Sequence, residues 1–394
     1  MSWLFIAWRN LGAKKLQTAL SLVLLAFGVG MVSLLMLSEK QLSEAFDRNI
    51  KDIDMVLGAK GSPLQLILAN VYHVDAPTGN ISLEAAQQIA RHPYIESAIP
   101  LAYGDNYEMF RIVGTTAAYV EHYGATVAHG RLWEAPFEVT LGARVAEATG
   151  LAIGDTFFSA HGLQDGTDVH KDKTFRVVGI LNESRSVIDQ LILCNIESIW
   201  GVHASAEEDE SVEASREITS MLLKKRNPLA ILTLPNLIRS SNMQLALPAI
   251  EINRLTNNFG IGMNTLRTLA IFIMILSFAS IFISVYDSLL ARRYELALMR
   301  TMGATPSGIY RSLLLEGGLL SAGGAIMGLG VSRMGLFALA QVVEDKFRYD
   351  LASLVLLSSE VWLAVAALLV GLLAAAIPGI SVLRMDISET LADH

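Results

Sequence analysis

Arg292-Arg293-Tyr294-Glu295-Leu296-Ala297-Leu298-Met299-Arg300-Thr301-Met302-Gly303-Ala304-Thr305-Pro306 lies between two long apolar runs. Leu296, Met299 and Met302 recur at helical spacing, and Arg292, Arg293 and Arg300 cluster beside them. The pattern predicts an amphipathic helix where a membrane meets solvent. Gly303 permits a positive-φ stop and Pro306 discourages continuation. A short helix slung between two spans can be gripped by a soluble partner. It can equally be an ordinary cytoplasmic loop kept inside by its arginines, and the local pattern leaves both readings open.

Working outward, the flanking runs set the class. The chain has 394 residues, 52% of them hydrophobic and only 17% charged, with a mean hydropathy of +0.44. That is too apolar for an ordinary soluble protein. The formal net charge of -8 argues against a nucleic-acid partner. The single cysteine, Cys194, excludes an internal disulfide and reads as a small buried hydrophobe. Runs of roughly 20 apolar residues span a bilayer. Four are expected, at 16–38, 266–290, 313–333 and 361–383, with lipid as the surrounding solvent. Residues 1–15, with Trp3, Trp8 and Arg9, read as an interfacial helix. The run after them is long for a signal peptide and lacks a clear cleavage site, so it reads as a retained span.

Four spans put both termini on one side. Arg9, Lys14, Lys15, Arg292, Arg293, Arg300, Arg311 and Arg384 then share the cytoplasmic side, as the positive-inside tendency asks. The expected order is a coupling segment at 291–312, a short outer loop at 334–360, a cytoplasmic tail at 384–394 and a large extracytoplasmic α/β domain at 39–265. The fold class is thus an α+β membrane protein. Helices near 39–49 and 250–265 would form stalks at the two ends of the domain. Within it, Ser82 caps a helix through Ile89. Phe110–Gly114, Glu138–Gly142 and Thr174–Leu181 read as strands. A short helix through Val145 stops at Gly150, and a Gly154-Asp155 turn follows. Gly317, Gly324 and Gly328 permit close helix approach in the third span, either within one subunit or in a dimer interface. Glu316, at the inner end of that span, either wants a partner or sits at the interface.

Glu295-Leu296-Ala297-Leu298-Met299-Arg300-Thr301-Met302-Gly303-Ala304, followed by Leu314-Leu315-Glu316-Gly317, resembles the signature of FtsX-like permeases. These are the membrane subunits of MacB/LolC-type (type VII) ABC transporters. Gly130-Arg131, Val139–Gly142, Gly154-Asp155 and Phe175–Ile180 are similar to the extracytoplasmic domain of the MacB type. The stretch Asp54–His73 and Pro77–Asn80 departs from the general pattern. The resemblance implies the four-span form in the bacterial inner membrane, two copies of the permease or a related pair, and a separate ABC ATPase. It places ATPase coupling on Arg292, Arg293, Glu295, Met299, Arg300, Gly303 and Ala304. A periplasmic or outer-membrane protein is a further candidate partner. The implied function is ATP-driven motion of the outer domain, to export or extract lipoprotein, peptide or amphiphile. The alternatives are regulation of a periplasmic hydrolase and a zinc-linked transport component.

Chemistry within the chain is sparse. Gly58–Ser62 lacks the spacing of a phosphate loop and reads as a turn, so no cofactor is expected here and ATP with its magnesium would sit in the partner. His161, Asp165, Asp168 and His170 offer imidazole and carboxylate to a divalent cation, though their spacing matches no closed metal motif. No nucleophile–base pair can be placed, so no catalytic residue is expected.

Overall fold

A computed structural model describes residues 3–160, 169–203, 216–347 and 356–383. The chain divides into two units, Met1–Leu42 with Asn258–His394, and Ser43–Asn257.

The second unit is built on one ten-stranded sheet. Its strands are β1 (Met55–Ala59), β3 (Ile95–Tyr107), β4 (Phe110–Gly114), β5 (Val127–Gly130), β6 (Glu138–Leu141), β7 (Thr156–Ala160), β8 (Val169–Leu181), β9 (Leu191–Cys194), β11 (Ser220–Lys225) and β12 (Met243–Ala246), while β2 (Ile81–Ser82) and β10 (Glu217–Ile218) pair separately. The path runs β12-β1-β11-β3-β4-β9-β6-β8-β5, with β7 bridging β3 and β8. Both faces are covered. Met55, Leu57, Ile192, Cys194 and Leu223 point into one core, and Val56, Leu191, Leu193 and Leu222 into the other. This is the period-two alternation of a pleated strand with apolar partners on each side.

Helices α3 (Pro63–Asn70), α4 (Leu83–Ala90), α5 (Ala117–His122), α6 (Ala143–Thr149), α7 (Ile196–His203) and α8 (Ala230–Leu237) complete the layers. Leu234 of α8 and Ile196 of α7 cover the first core; Leu66 of α3 and Tyr119 of α5 cover the second. The strand expected at 110–114 is present, the one expected at 138–142 ends at Leu141 because Gly142 caps α6, and the Ser82 cap and the left-handed Gly150 stop are present. Gly58 and Ala59, read from the sequence as part of a turn, instead end β1; the chain turns at Lys60–Gly61, and Ser62 caps α3.

Beside β6, Arg131 donates to both carboxylate oxygens of Glu138 at 2.8 and 2.6 Å, and the amides of Glu134 and Ala135 donate to it as well. The Arg131 guanidinium and then these amides hold the Glu138 carboxyl down to about 2. A depressed carboxylate stabilises the fold above its ordinary value and loses that contribution as pH falls through the folded value. Thermal unfolding of the full chain is therefore expected to weaken between pH 4.5 and 2 by a component that Glu138→Gln removes.

The first unit holds α1 (Trp3–Ala13) and four helices long and apolar enough to cross a membrane: α2 (Lys15–Ile50), α9 (Pro248–Ala291), α11 (Pro306–Phe347) and α12 (Ser358–Leu383). The short helix α10 (Arg293–Thr301) lies between α9 and α11. Both α2 and α9 continue without a break into the second unit, whose compact part is narrower than the 39–265 read from the sequence. The 334–360 loop is also shorter than expected. Helix α11 runs on through Phe347 and α12 begins at Ser358. The apolar run ends at Arg333 in the sequence, but nothing there stops a helix, because the charge has a partner. Arg333 makes two hydrogen bonds to Glu360 at 2.9 and 2.7 Å. The Ser33 hydroxyl and the Leu357 amide also donate to Glu360, which is fully buried. Ser332 lies 2.8 Å from Ser33. A charge inside a bundle persists only when answered in this way.

Candidate coupling site

The segment between α9 and α11 owes its shape to its last residues. Gly303 has φ +99°. The Gly303 amide donates to the Arg300 carbonyl at 3.1 Å and the Ala304 amide to the Met299 carbonyl at 2.9 Å. This pair of bonds is a Schellman cap, which satisfies carbonyls that a helix end otherwise leaves open. The Gly-Ala dipeptide is thus read as a stop. Thr305 then opens α11, its side chain and carbonyl both accepting from the Gly308 amide.

A Cβ at position 303 would meet nothing within 4 Å, so the cost of a side chain there is purely backbone. Gly303→Ala is expected to destabilise the cap by about 1–2 kcal/mol, seen as faster hydrogen exchange at the Ala304 amide. Asparagine at 303 should cost less, since it tolerates the left-handed region better.

Inward, Arg292 and Glu316 meet at 3.6 Å. Glu316 is 2% exposed and also accepts from Asn10 Nδ2 of α1. Trp3 of the same helix lies on Gly308, where its ring leaves no room for a Cβ. Leu296 and Met299 face this junction. A cavity of about 80 Å³ remains among these groups. That is room for a few waters and not for an amphiphile, so the junction is a joint rather than a cargo site.

Outward, the helix shows a different set. Tyr294, Leu298 and Met302 are 45%, 47% and 81% exposed. Their i, i+4, i+8 spacing aligns them in one ridge, bordered by the exposed Arg293, Glu295 and Thr301. The coupling residues read from the sequence therefore separate. Arg293 and Gly303 are outward, Glu295 is exposed yet also lines the inner cavity, Arg292 and Met299 belong to the inner joint, Arg300 is half-buried, and Ala304 closes the cap. Tyr294 and Leu298 are additions that the i, i+4 period could have found, whereas Asn10 and Trp3 join only through the tertiary fold.

Gly317, Gly324 and Gly328 of α11 face neighbours in this chain. Gly317 abuts the Gly371 carbonyl and Ala375 of α12, Gly324 abuts Leu25, and Gly328 abuts Val29 and the Ala26 carbonyl of α2. These contacts are the within-subunit packing that one of the two readings describes. Of the metal candidates, His161, Asp165 and Asp168 lie outside the described residues, and only the backbone of His170 is described, in β8. Among the described residues no group of three or more histidine, cysteine or carboxylate side chains is placed to hold a metal.

The model of the MacB-like periplasmic core domain matches residues 18–221, and that of the FtsX-like permease C-terminal region matches residues 267–387. The chain belongs to the FtsX/MacB-type ABC permeases. As a permease of this type it is a multi-pass inner-membrane protein, the membrane component of an ABC transporter that works with an ATPase subunit. Among solved structures it is similar to the periplasmic region of MacB from Actinobacillus actinomycetemcomitans, at 14% identity and TM-score 0.36 over 53% of this chain and 96% of that one. It is also similar to the extracellular domain of the noncanonic ABC-type transporter YknZ from Gram-positive bacteria, at 12% identity and TM-score 0.32 over 48% of this chain and 98% of that one. No curated protein matches the chain. The FtsX-like permease match takes in Arg292, the cap, Glu316 and the glycines of α11, but not Trp3 and Asn10 of α1.

Proposed function

We propose that this permease converts ATPase movement on the cytoplasmic side into movement of its β-rich domain on the other side, to extract or export a lipoprotein, peptide or amphiphile. The observation that carries this reading is the two-sided character of α10. Its inner side is pinned by Arg292, Glu316 and the Schellman cap, and its outer side leaves Leu298 and Met302 exposed. A helix held on one side and bare on the other is suited to receive a push and pass it to the bundle. Interfaces favour such aromatic, methionine and aliphatic anchors ringed by polar groups.

In this reading the ATPase binds ATP and magnesium, the permease supplies no catalytic group, and a second permease copy completes the transporter. Both termini and α10 face the cytoplasm. Sidedness tests it directly. Met302→Cys and Glu183→Cys, in separate full-length proteins in sealed membranes, should react with an impermeant maleimide from opposite faces. Cys194 is fully buried, and burial pushes its thiol up out of the reactive range, so it contributes no signal. Labelling of both positions from one face would end the proposal.

A further inference from the structure

Two helices enter the β-rich domain, and they are seated differently. The end of α2 is keyed by directional bonds. Asn49 is 1% exposed. Its Oδ1 accepts from the Val187 amide at 2.9 Å, while its Nδ2 donates back to the Ala45 carbonyl at 3.0 Å. The Tyr123 hydroxyl donates to the Asn49 carbonyl and the Tyr72 hydroxyl to that of Phe46, both at 3.3 Å. The Phe46 and Tyr72 rings also meet edge to face at 5.2 Å.

The receiving turn is itself braced. Asp189, 3% exposed, accepts from the amides of Ser184 and Arg185 and from the Ser184 hydroxyl. The two tyrosines lead further in. Tyr123 packs edge to face on Tyr119 at 5.2 Å, the Tyr119 hydroxyl lies 2.9 Å from His73 Nε2, and the Tyr103 hydroxyl lies 2.6 Å from His73 Nδ1. His73 holds a positive φ of 56° in this clasp.

The start of α9 has no such key. Ile252 and Leu255 rest against the same core. Arg254 bonds Glu251 and Thr256 bonds the Ile252 carbonyl, all within the helix. Among the described residues no side-chain hydrogen bond joins Pro248–Asn257 to the rest of the domain. Hydrogen bonds fail over a few tenths of an ångström and tens of degrees, whereas apolar contact is non-directional and tolerates small rotation.

We propose that Asn49 is the positioning residue through which movement enters the domain. Helix α2 is the driving stalk, rigidly keyed to the Ser184–Gln190 turn and the Tyr123–Tyr119–His73 chain, and α9 is a follower that tilts on an apolar seat. This rests on the force-transmitting reading above. Its test uses the chain alone, without an ATPase, so the two can fail separately.

Spin-label pairs report the stiffness of each joint in the full-length protein in lipid nanodiscs. One pair is Asp47→Cys with Glu183→Cys, the other Asn253→Cys with Glu183→Cys, all three sites being exposed. The distance distribution of the α2 pair should be at least twofold narrower than that of the α9 pair. Asn49→Ala should broaden the α2 pair at least twofold and leave the α9 pair unchanged. A reference pair, Glu183→Cys with Ser240→Cys, reports whether the domain itself has loosened. If it has, Tyr123→Phe, which removes one hydroxyl, carries the test and should broaden the α2 pair alone. Equal widths for the two joints in the parent protein, or an α2 pair unmoved by either variant, would overturn the proposal.

Discussion

Aspartate at Leu298 and Met302 together is expected to weaken association of this permease with its ATPase by roughly 30-fold or more, the effect of losing an anchor worth about 2 kcal/mol. The fold should survive, because both side chains already point away from the bundle and carry little of its packing. The measurement is the amount of ATPase recovered with the full-length permease from membranes, together with hydrolysis in the reconstituted pair. Tryptophan at Met302 separates two environments for the ridge. An indole sits readily at the headgroup level of a membrane, so a ridge lying in lipid would accept it, whereas a fitted protein socket would reject it. Loss of ATPase with both the aspartate and the tryptophan variants supports docking. Undiminished recovery with Leu298→Asp and Met302→Asp combined would show that α10 is not the docking element.

The largest effect on stability is expected at the other end of α11. Arg333→Ala strands the Glu360 carboxylate, which is fully buried and among the described residues keeps only Ser33 and the Leu357 amide as donors. Removing one partner of a buried pair costs about 3–5 kcal/mol, while replacing both by apolar groups of similar volume is close to neutral. Arg333→Met with Glu360→Leu should therefore recover most of the unfolding temperature that Arg333→Ala loses in detergent or nanodiscs. If the single and double variants lose equally, the pair is not what holds this end of the bundle.

Much of the architecture was open to reading from residues alone, for physical reasons that differ by element. The spans declared themselves because a bilayer demands long apolar runs, and Gly303 because a helix stop needs a residue that accepts positive φ. What escaped were features decided by faces. Leu296, Met299 and Met302 look like one stripe by spacing, yet successive steps of three drift backward around a helix. The first and last end roughly 120° apart at 3.6 residues per turn. Hence Leu296 faces the joint and Met302 faces outward. Strand β1 escaped because Met55–Ala59 is buried on both sides, and such a run shows no alternation. Glu316 left a partner or an interfacial place open, and no local pattern names Asn10, which lies 306 positions away. Arg333 closed the third apolar run and Glu360 ended the loop before the fourth, since a charge looks like a boundary until its partner is known.

The two buried carboxylates bear on how α11 can travel. Glu316 is matched to Arg292 and Asn10 near one end, and Arg333 to Glu360 near the other. A slip of one turn, about 5.4 Å, would part both acids from these partners at once. Holding both pairs lets helix α11 lean or swing with its neighbours, so a stroke that keeps them is a tilt of the clamped group and not a slide.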